Sequence, residues 1–186
     1  MPAKIPNRRP LHLIAILFVA LLIAANLTLI FSFSSENREE SGSRSREVTL
    51  IVARICYADF DDLPATEQEA IVDTLHGFVR KTAHFLEFAL LGCLTASLVC
   101  LVWSFVGWRA RVWQTAGIPA LFCLLTAISD EVYQIFTGRG PAVKDVLIDF
   151  CGAVSGVIFL HLAVWLVGRI HSARQRKIQK KEARAA

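Results

Sequence analysis

The chain has 186 residues, of which 54% are hydrophobic and 19% charged, with a mean hydropathy of +0.48 and a formal net charge of +4. That length leaves no room for a second sizeable core, and that hydropathy excludes an ordinary soluble domain and places the chain among membrane proteins. The positive charge is gathered at the ends of apolar segments rather than in a basic stripe, which argues against a nucleic-acid partner.

Four apolar runs, 11–33, 85–106, 112–128 and 146–167, approach the roughly 20 residues needed to cross a bilayer. The first follows Lys4, Arg8 and Arg9 and has the outline of a signal peptide, with Ile23-Ala24-Ala25 as a loose cleavage site. Its apolar stretch continues to Phe33, so an uncleaved anchor is the expectation. Residues 34–46, rich in Ser, Glu and Arg, read as a flexible polar linker. Val48, Ile51, Val52 and Ile55 then recur at helical spacing, and Thr66 with Glu69 after Pro64 predicts a capping box opening a second helix, carrying Ile71, Leu75 and Phe78. Both helices are expected to be amphipathic and interfacial, or else to gate a cleft. The third run is short and contains Pro119, and reaches a full span only if its helix continues through Asp130, Glu131 and Gln134 to about Phe136.

These elements predict an all-α membrane protein, a small four-helix transmembrane bundle with one or two extracytoplasmic interfacial helices. The expected segments are 1–33 (cytoplasmic N-terminus and first span), 34–78 (extracytoplasmic loop), 79–168 (a core of three spans) and 169–186 (basic cytoplasmic tail). Basic residues favour the cytoplasmic side of a membrane. Lys4, Arg8, Arg9, Arg109 and Arg111, with Arg169, Arg174, Arg176, Lys177, Lys180, Lys181 and Arg184 of the tail, therefore predict that both termini are cytoplasmic. Among the five cysteines only Cys56 falls in the external loop, and the other four read as small core hydrophobes. With no Cys-x-x-Cys, neither a zinc knuckle nor a disulfide framework is indicated.

Under this topology three polar stretches meet at the outer face. A charge at bilayer depth is costly and usually marks a function. Helical spacing places Arg80, His84 and Glu87 on one stripe flanked by Lys81, Asp130 and Gln134 on one face beside Glu131, and Asp145, Asp149, Gly152 and Gly156 on one stripe of the last span. Gly152 and Gly156 form a Gly-x-x-x-Gly pattern that allows close helix approach and would turn Asp149 toward a partner helix. Gly138, Gly140 and Pro141 predict a turn presenting Arg139. A purely structural reading, in which Arg80, Lys81 or Arg139 clamps the bundle through the acids, is the competing account. The surplus of carboxylates over what a clamp needs weighs against it.

Arg-Lys-x-x-His-Phe-x-Glu at 80–87, the set Asp130, Glu131, Gln134, Phe136, Gly138 and Arg139, and then Asp145, Asp149, Gly152 and Gly156 together resemble the VanZ-like family over about 79–157. The sequence departs from the family at Phe88 (often tyrosine), Thr137 (often proline) and Asp149 (often asparagine). The resemblance implies an integral membrane protein of the cell envelope, and the family's namesake is associated with resistance to teicoplanin, a lipid-tailed glycopeptide antibiotic. Two functions then compete, and whether the chain is an enzyme stays open. In the first, Arg80, Lys81, Asp130, Gln134, Arg139, Asp145 and Asp149 form a headgroup site that binds or shields a lipid, a lipid-linked wall precursor or a lipoglycopeptide, while apolar grooves hold the tail. In the second, a membrane-embedded enzyme acts on such a molecule with His84 as general acid/base, aided by Glu87 and Glu131, and with an optional divalent metal on Asp130, Glu131 and Asp145. No nucleophile motif, phosphate loop or zinc-type histidine pair is present, and proton-coupled transport is weaker because no charge lies mid-span. No resident cofactor or metal is expected. The expected partners are a membrane lipid or lipid-linked envelope molecule and, for a homo-oligomer, a second copy of the chain.

Overall fold

The computed structural model describes residues 9–35, 38–107, 111–136 and 142–185. Among them the elements are α1 (Arg9–Ser35), α2 (Arg38–Cys56), a 3₁₀ turn (Phe60–Asp62), α3 (Ala65–Val106), α4 (Val112–Phe136) and α5 (Val143–Ala185). α1, α3, α4 and α5 are each long and apolar enough to cross a membrane. α4 reaches Phe136, so the short third run does become a full span by carrying Asp130, Glu131 and Gln134 inside its last turns. The chain is an all-α, multi-pass membrane bundle.

At 1.5 Å per residue, the 42 residues of α3 extend about 63 Å, roughly twice the apolar thickness of a bilayer. Its apolar C-terminal half is the span, and its N-terminal half stands beyond the bundle and pairs with α2. Ala53, Phe60 and Val72 form a small core there, supported by Leu50, Ile71 and Leu75. Arg46 bonds Glu69 and Asp73 across the two helices at 3.1 and 3.3 Å, and Arg54 bonds Asp61 at 3.0 Å.

Three expectations are corrected in this region. Residues 38–46 are helical rather than a linker, because Arg38, Glu39, Glu40 and Arg44 are good helix formers and Arg46 is tied to α3. The second external helix is not separate but is the start of α3, since nothing stronger than the exposed Gly77 interrupts the run into the span. The capping box is not formed: Pro64 is the N-cap and supplies no side-chain bond.

α3 packs most extensively against α5; α4 packs against both, and α1 against α3 and α4. The α3–α5 seam is made by absent side chains. A Cβ on Gly152 would overlap the Phe85 carbonyl oxygen, one on Gly156 that of Ala89, and one on Gly92 that of Ala153. Apolar contact between helices gains little in lipid, so such close backbone approach becomes the main source of association. The pairing of Phe85 with Gly152 and Ala89 with Gly156 makes α3 and α5 parallel. Ile23 and Ile30 of α1, Phe88 and Leu91 of α3, Cys123 and Ala127 of α4, and Ala153 of α5 fill the centre. Cys151 is exposed on the lipid-facing side, so of the four span cysteines only Cys123 is fully a core residue. Gly107 ends α3 in a left-handed conformation (φ 78°), which permits the sharp exit into the next connection.

Candidate functional site

The three polar stretches converge at the end of the bundle from which α2 and the N-terminal half of α3 project. α4 brings Asp130, Glu131 and Gln134, all three buried, at i, i+1 and i+4 of its last turns. Gln134 Nε2 donates to Asp130 Oδ2 at 2.8 Å, and toward Ser34 Oγ of α1 at 3.4 Å, fastening the ends of α1 and α4 together. Glu131 Oε1 accepts a hydrogen bond from the Ala142 backbone N–H, one residue before α5. That carboxylate therefore anchors the start of α5, where a negative group also complements the helix dipole.

α5 brings Asp145 in its first turn and Asp149 one turn deeper. The glycine seam turns this stripe inward: Asp149, Gly152 and Gly156 are all buried against α3. α3 answers with Lys81, whose Nζ lies 3.7 Å from Asp145 Oδ1, and with His84, whose Nδ1 lies 3.9 Å from Glu87 Oε2 and 4.0 Å from Asp149 Oδ1. The last two distances are longer than hydrogen bonds. His84 and Glu87 are about one-fifth exposed, whereas Asp149 is 4% exposed and Asp130 1%. The cluster is thus open on its α3 side and closed behind by α4 and α5.

The structure brings His84, Glu87, Asp130, Glu131, Gln134, Lys81, Asp145 and Asp149 to one place. Arg80 is partly buried and makes no ion pair among the described residues. Arg139, the residue expected to recognise a headgroup, and its flanking Gly138, Gly140 and Pro141 lie outside the described residues. Among the described residues the clamp reading finds one instance, Lys81 with Asp145, and that pair is about half and one-third exposed. The ion set expected for the enzyme reading, Asp130, Glu131 and Asp145, is not the set that converges. Glu131 is taken up by the Ala142 amide and Asp145 by Lys81, while ligand atoms of His84, Asp130 and Asp149 lie within 4.8 Å of one another.

Sequence reasoning missed three contributors. Ser34 lies at the end of α1 and reads in the sequence as the start of a linker, yet it is fully buried, with Gln134 beside it. Gly92 completes the α3 side of the seam; its signal was present in the small residues Ala89, Gly92, Cys93 and Ala96, which recur at helical spacing. Asn26, 4% exposed, carries a buried Oδ1 without a hydrogen bond, and nothing in the structure explains it. Beside the cluster, Leu27, Thr28, Phe31, Ser32 and Tyr133 line a shallow groove between α1 and α4, in which the Phe31 and Tyr133 rings meet edge to face at 6.2 Å.

A protein-family model described as VanZ/LLP1 matches residues 15–165, from within α1 to the apolar part of α5. No curated protein and no solved structure matches the chain significantly.

Proposed function

The chain belongs to the VanZ/LLP1 family, and on that premise we propose that it binds or shields the polar headgroup of a lipid, a lipid-linked cell-wall precursor or a lipoglycopeptide of the teicoplanin type, at the outer face of the cell membrane. The observation that carries this reading is the convergence of polar side chains from three helices into one cluster that stays partly exposed at His84 and Glu87. Lys81 and Arg80 at its rim suit phosphate or carboxylate groups, the role the sequence also assigns to Arg139. Arg is the stronger of the two by virtue of its bidentate fork. The groove lined by Leu27, Phe31 and Tyr133 lies at the depth an acyl tail would occupy next to a headgroup held there.

The orientation in this proposal rests on the positive-inside pattern. The start of α1 lies at the end opposite the cluster, and the exposed basic stretch of α5 from Arg169 to Lys180 continues from that end. Membrane-impermeant thiol labelling of intact cells tests it with single cysteines at 56, 109 and 175. The expected result is labelling at 56 alone; labelling at 109 but not at 56 reverses the orientation and moves the site to the cytoplasmic face.

A second reading, a membrane-embedded enzyme on the same class of molecule, is favoured by one observation. His84 Nδ1 stands about 4 Å from two carboxylates, a spacing from which modest rotation would orient the imidazole as an acid or base. The deciding experiment compares envelope lipids, wall precursors and teicoplanin susceptibility in cells with the gene, without it, and with His84→Ala, Glu87→Gln, Glu131→Gln or Arg139→Ala. Each variant is expected to insert and accumulate normally and to behave as the strain without the gene. Arg139→Lys is expected to behave the same way, because it keeps the charge and loses the fork. Full activity in Arg139→Lys reduces that residue to a point charge. Wild-type behaviour in all of the other four removes the cluster from function. Turnover of a purified lipid substrate that vanishes in His84→Ala selects the enzyme over the binding protein.

A further inference from the structure

The centre of the cluster holds two deeply buried carboxylates facing one imidazole across three different helices. Asp130 of α4 has one oxygen, Oδ2, satisfied by Gln134, while its Oδ1 is buried with no hydrogen bond. Asp149 of α5 is 4% exposed, and its Oδ1, also buried with no hydrogen bond, is the atom that lies 4.0 Å from His84 Nδ1 of α3. Among the described residues no Lys or Arg lies within ion-pair distance of Asp130, Asp149 or Glu87. Lys81 of α3 is engaged with Asp145 instead. Buried oxygens without donors are rare in native proteins, and a buried charge is paired or coordinates a metal.

We propose that His84, Asp130 and Asp149 form a site for one divalent first-row transition-metal ion of the zinc or manganese type. One ligand atom from each lies within 4.8 Å of the others. Three atoms so placed share a point no more than about 2.8 Å from each, against about 2.0–2.2 Å for zinc–nitrogen and zinc–oxygen bonds. Closing that gap takes side-chain adjustments of about 0.6 Å, within the reach of Asp and His rotamers. The donor set, one imidazole with two carboxylates, suits zinc or manganese better than calcium or magnesium, which favour oxygen-only shells. Glu87, whose Oε2 is 3.9 Å from the same imidazole nitrogen, is placed as a fourth ligand or as an outer partner that orients the ring.

Three protein ligands leave open positions on the exposed side of His84 and Glu87, where an ion takes a water or an oxygen of an anionic headgroup. The ion also supplies a positive charge that no described Lys or Arg brings within ion-pair distance of the two carboxylates. Only this last coupling to a headgroup rests on the function proposed above; the metal site itself does not.

The test uses the full chain, purified with chelator and reconstituted in nanodiscs of a zwitterionic lipid, so that no anionic headgroup is present. Zn²⁺ is titrated by calorimetry, and bound Mn²⁺ is read by pulsed electron paramagnetic resonance. The expected result is one ion per chain, with a ¹⁴N coupling from a directly bound imidazole. His84→Ala, Asp130→Asn and Asp149→Asn should each weaken binding by more than about tenfold, since even outer-partner changes at metal sites cost 10–100-fold. Glu67→Gln, a carboxylate on the exposed start of α3, should not change it. Absence of a stoichiometric ion in the wild type overturns the proposal, as does a bound Mn²⁺ without ¹⁴N coupling; neither readout depends on any variant folding. Equal weakening by Glu67→Gln and Asp149→Asn identifies only diffuse attraction to surface carboxylates and overturns it too. A metal-binding protein with no envelope phenotype would leave the site standing and refute the function proposed above, so the two failures are separable.

Discussion

His84 and His161 both lie in membrane-spanning helices, toward opposite ends of the bundle, and their surroundings differ in kind. His161 of α5 bonds the Val157 carbonyl through Nδ1 at 2.8 Å and Thr115 Oγ1 of α4 through Nε2 at 2.9 Å. A carbonyl can only accept, so Nδ1 carries a proton, while Nε2 is hydrogen-bonded to the Thr115 hydroxyl. Both nitrogens are used, and α4 is stitched to α5 through the ring. His84 instead faces carboxylates from its own helix and from α5 at about 4 Å. A histidine that only joins helices is arranged like the first. The second arrangement, with carboxylates at about 4 Å, is the one proposed above as a ligand site.

The change with the largest expected effect removes what holds the two ends in one bundle. Gly152→Leu with Gly156→Leu drives side chains into the Phe85 and Ala89 carbonyls, so α3 and α5 must separate. Loss of monodisperse protein after detergent extraction is expected, with both histidine sites lost together. Normal yield and function would mean that this stripe faces lipid and that Asp149 is not held against α3.

Next comes the direct exchange of the two histidines for alanine. His161→Ala removes the side-chain bonds to Thr115 and to the Val157 carbonyl, while Thr115 keeps its bond to the Val112 carbonyl, so the loss is about 0.5–1.5 kcal/mol per bond. A lower thermal midpoint in detergent is expected, with envelope phenotype retained in whatever protein remains folded. His84→Ala should do the reverse, leaving the midpoint near wild type while the phenotype is lost. If His84→Ala is the destabilised variant and a second change at Asp149 to Asn restores it, the cluster is a structural clamp and the contrast between the two ends dissolves.

Much of this was legible in the sequence, for physical reasons that can be named. Span length demanded that α4 run on to Phe136, which forced Asp130, Glu131 and Gln134 into the bundle. The i, i+4, i+7 stripe of Asp145, Asp149, Gly152 and Gly156 could face only a close partner, and it does. Partner choice within the cluster was not legible. Whether Glu131 meets a basic residue or a backbone amide depends on how the α4–α5 connection returns, and no periodicity encodes that. Ser34 escaped notice because its partner is 100 residues away. Residues 38–46 were misread as a linker because the serines and the glycine outweighed the helix-forming charged residues between them; the contacts of Arg46 with α3 are tertiary and invisible locally.

The smallest expected effect lies outside the spans, where α2 meets the projecting half of α3. Arg46 reaches both Glu69 and Asp73, one turn apart on α3, yet its side chain is 45% exposed and both acids 66%. Exposed pairs of this kind contribute about 0–1 kcal/mol each and weaken with salt. The hold between these helices should therefore come from the buried Ala53, Phe60 and Val72. Arg46→Ala is expected to shift the thermal midpoint barely, while hydrogen exchange quickens only in the first half of α2. Phe60→Ala, with a 1% exposed ring removed, should open the whole α2–α3 contact to exchange. Neither should alter the environment of His84 or His161, because both lie beyond the α2 contact along the bundle. If Arg46→Ala instead abolished the envelope phenotype with the fold intact, the projecting helices would be part of the site, and the contrast between the two ends would have to be redrawn with α2 on the side of His84.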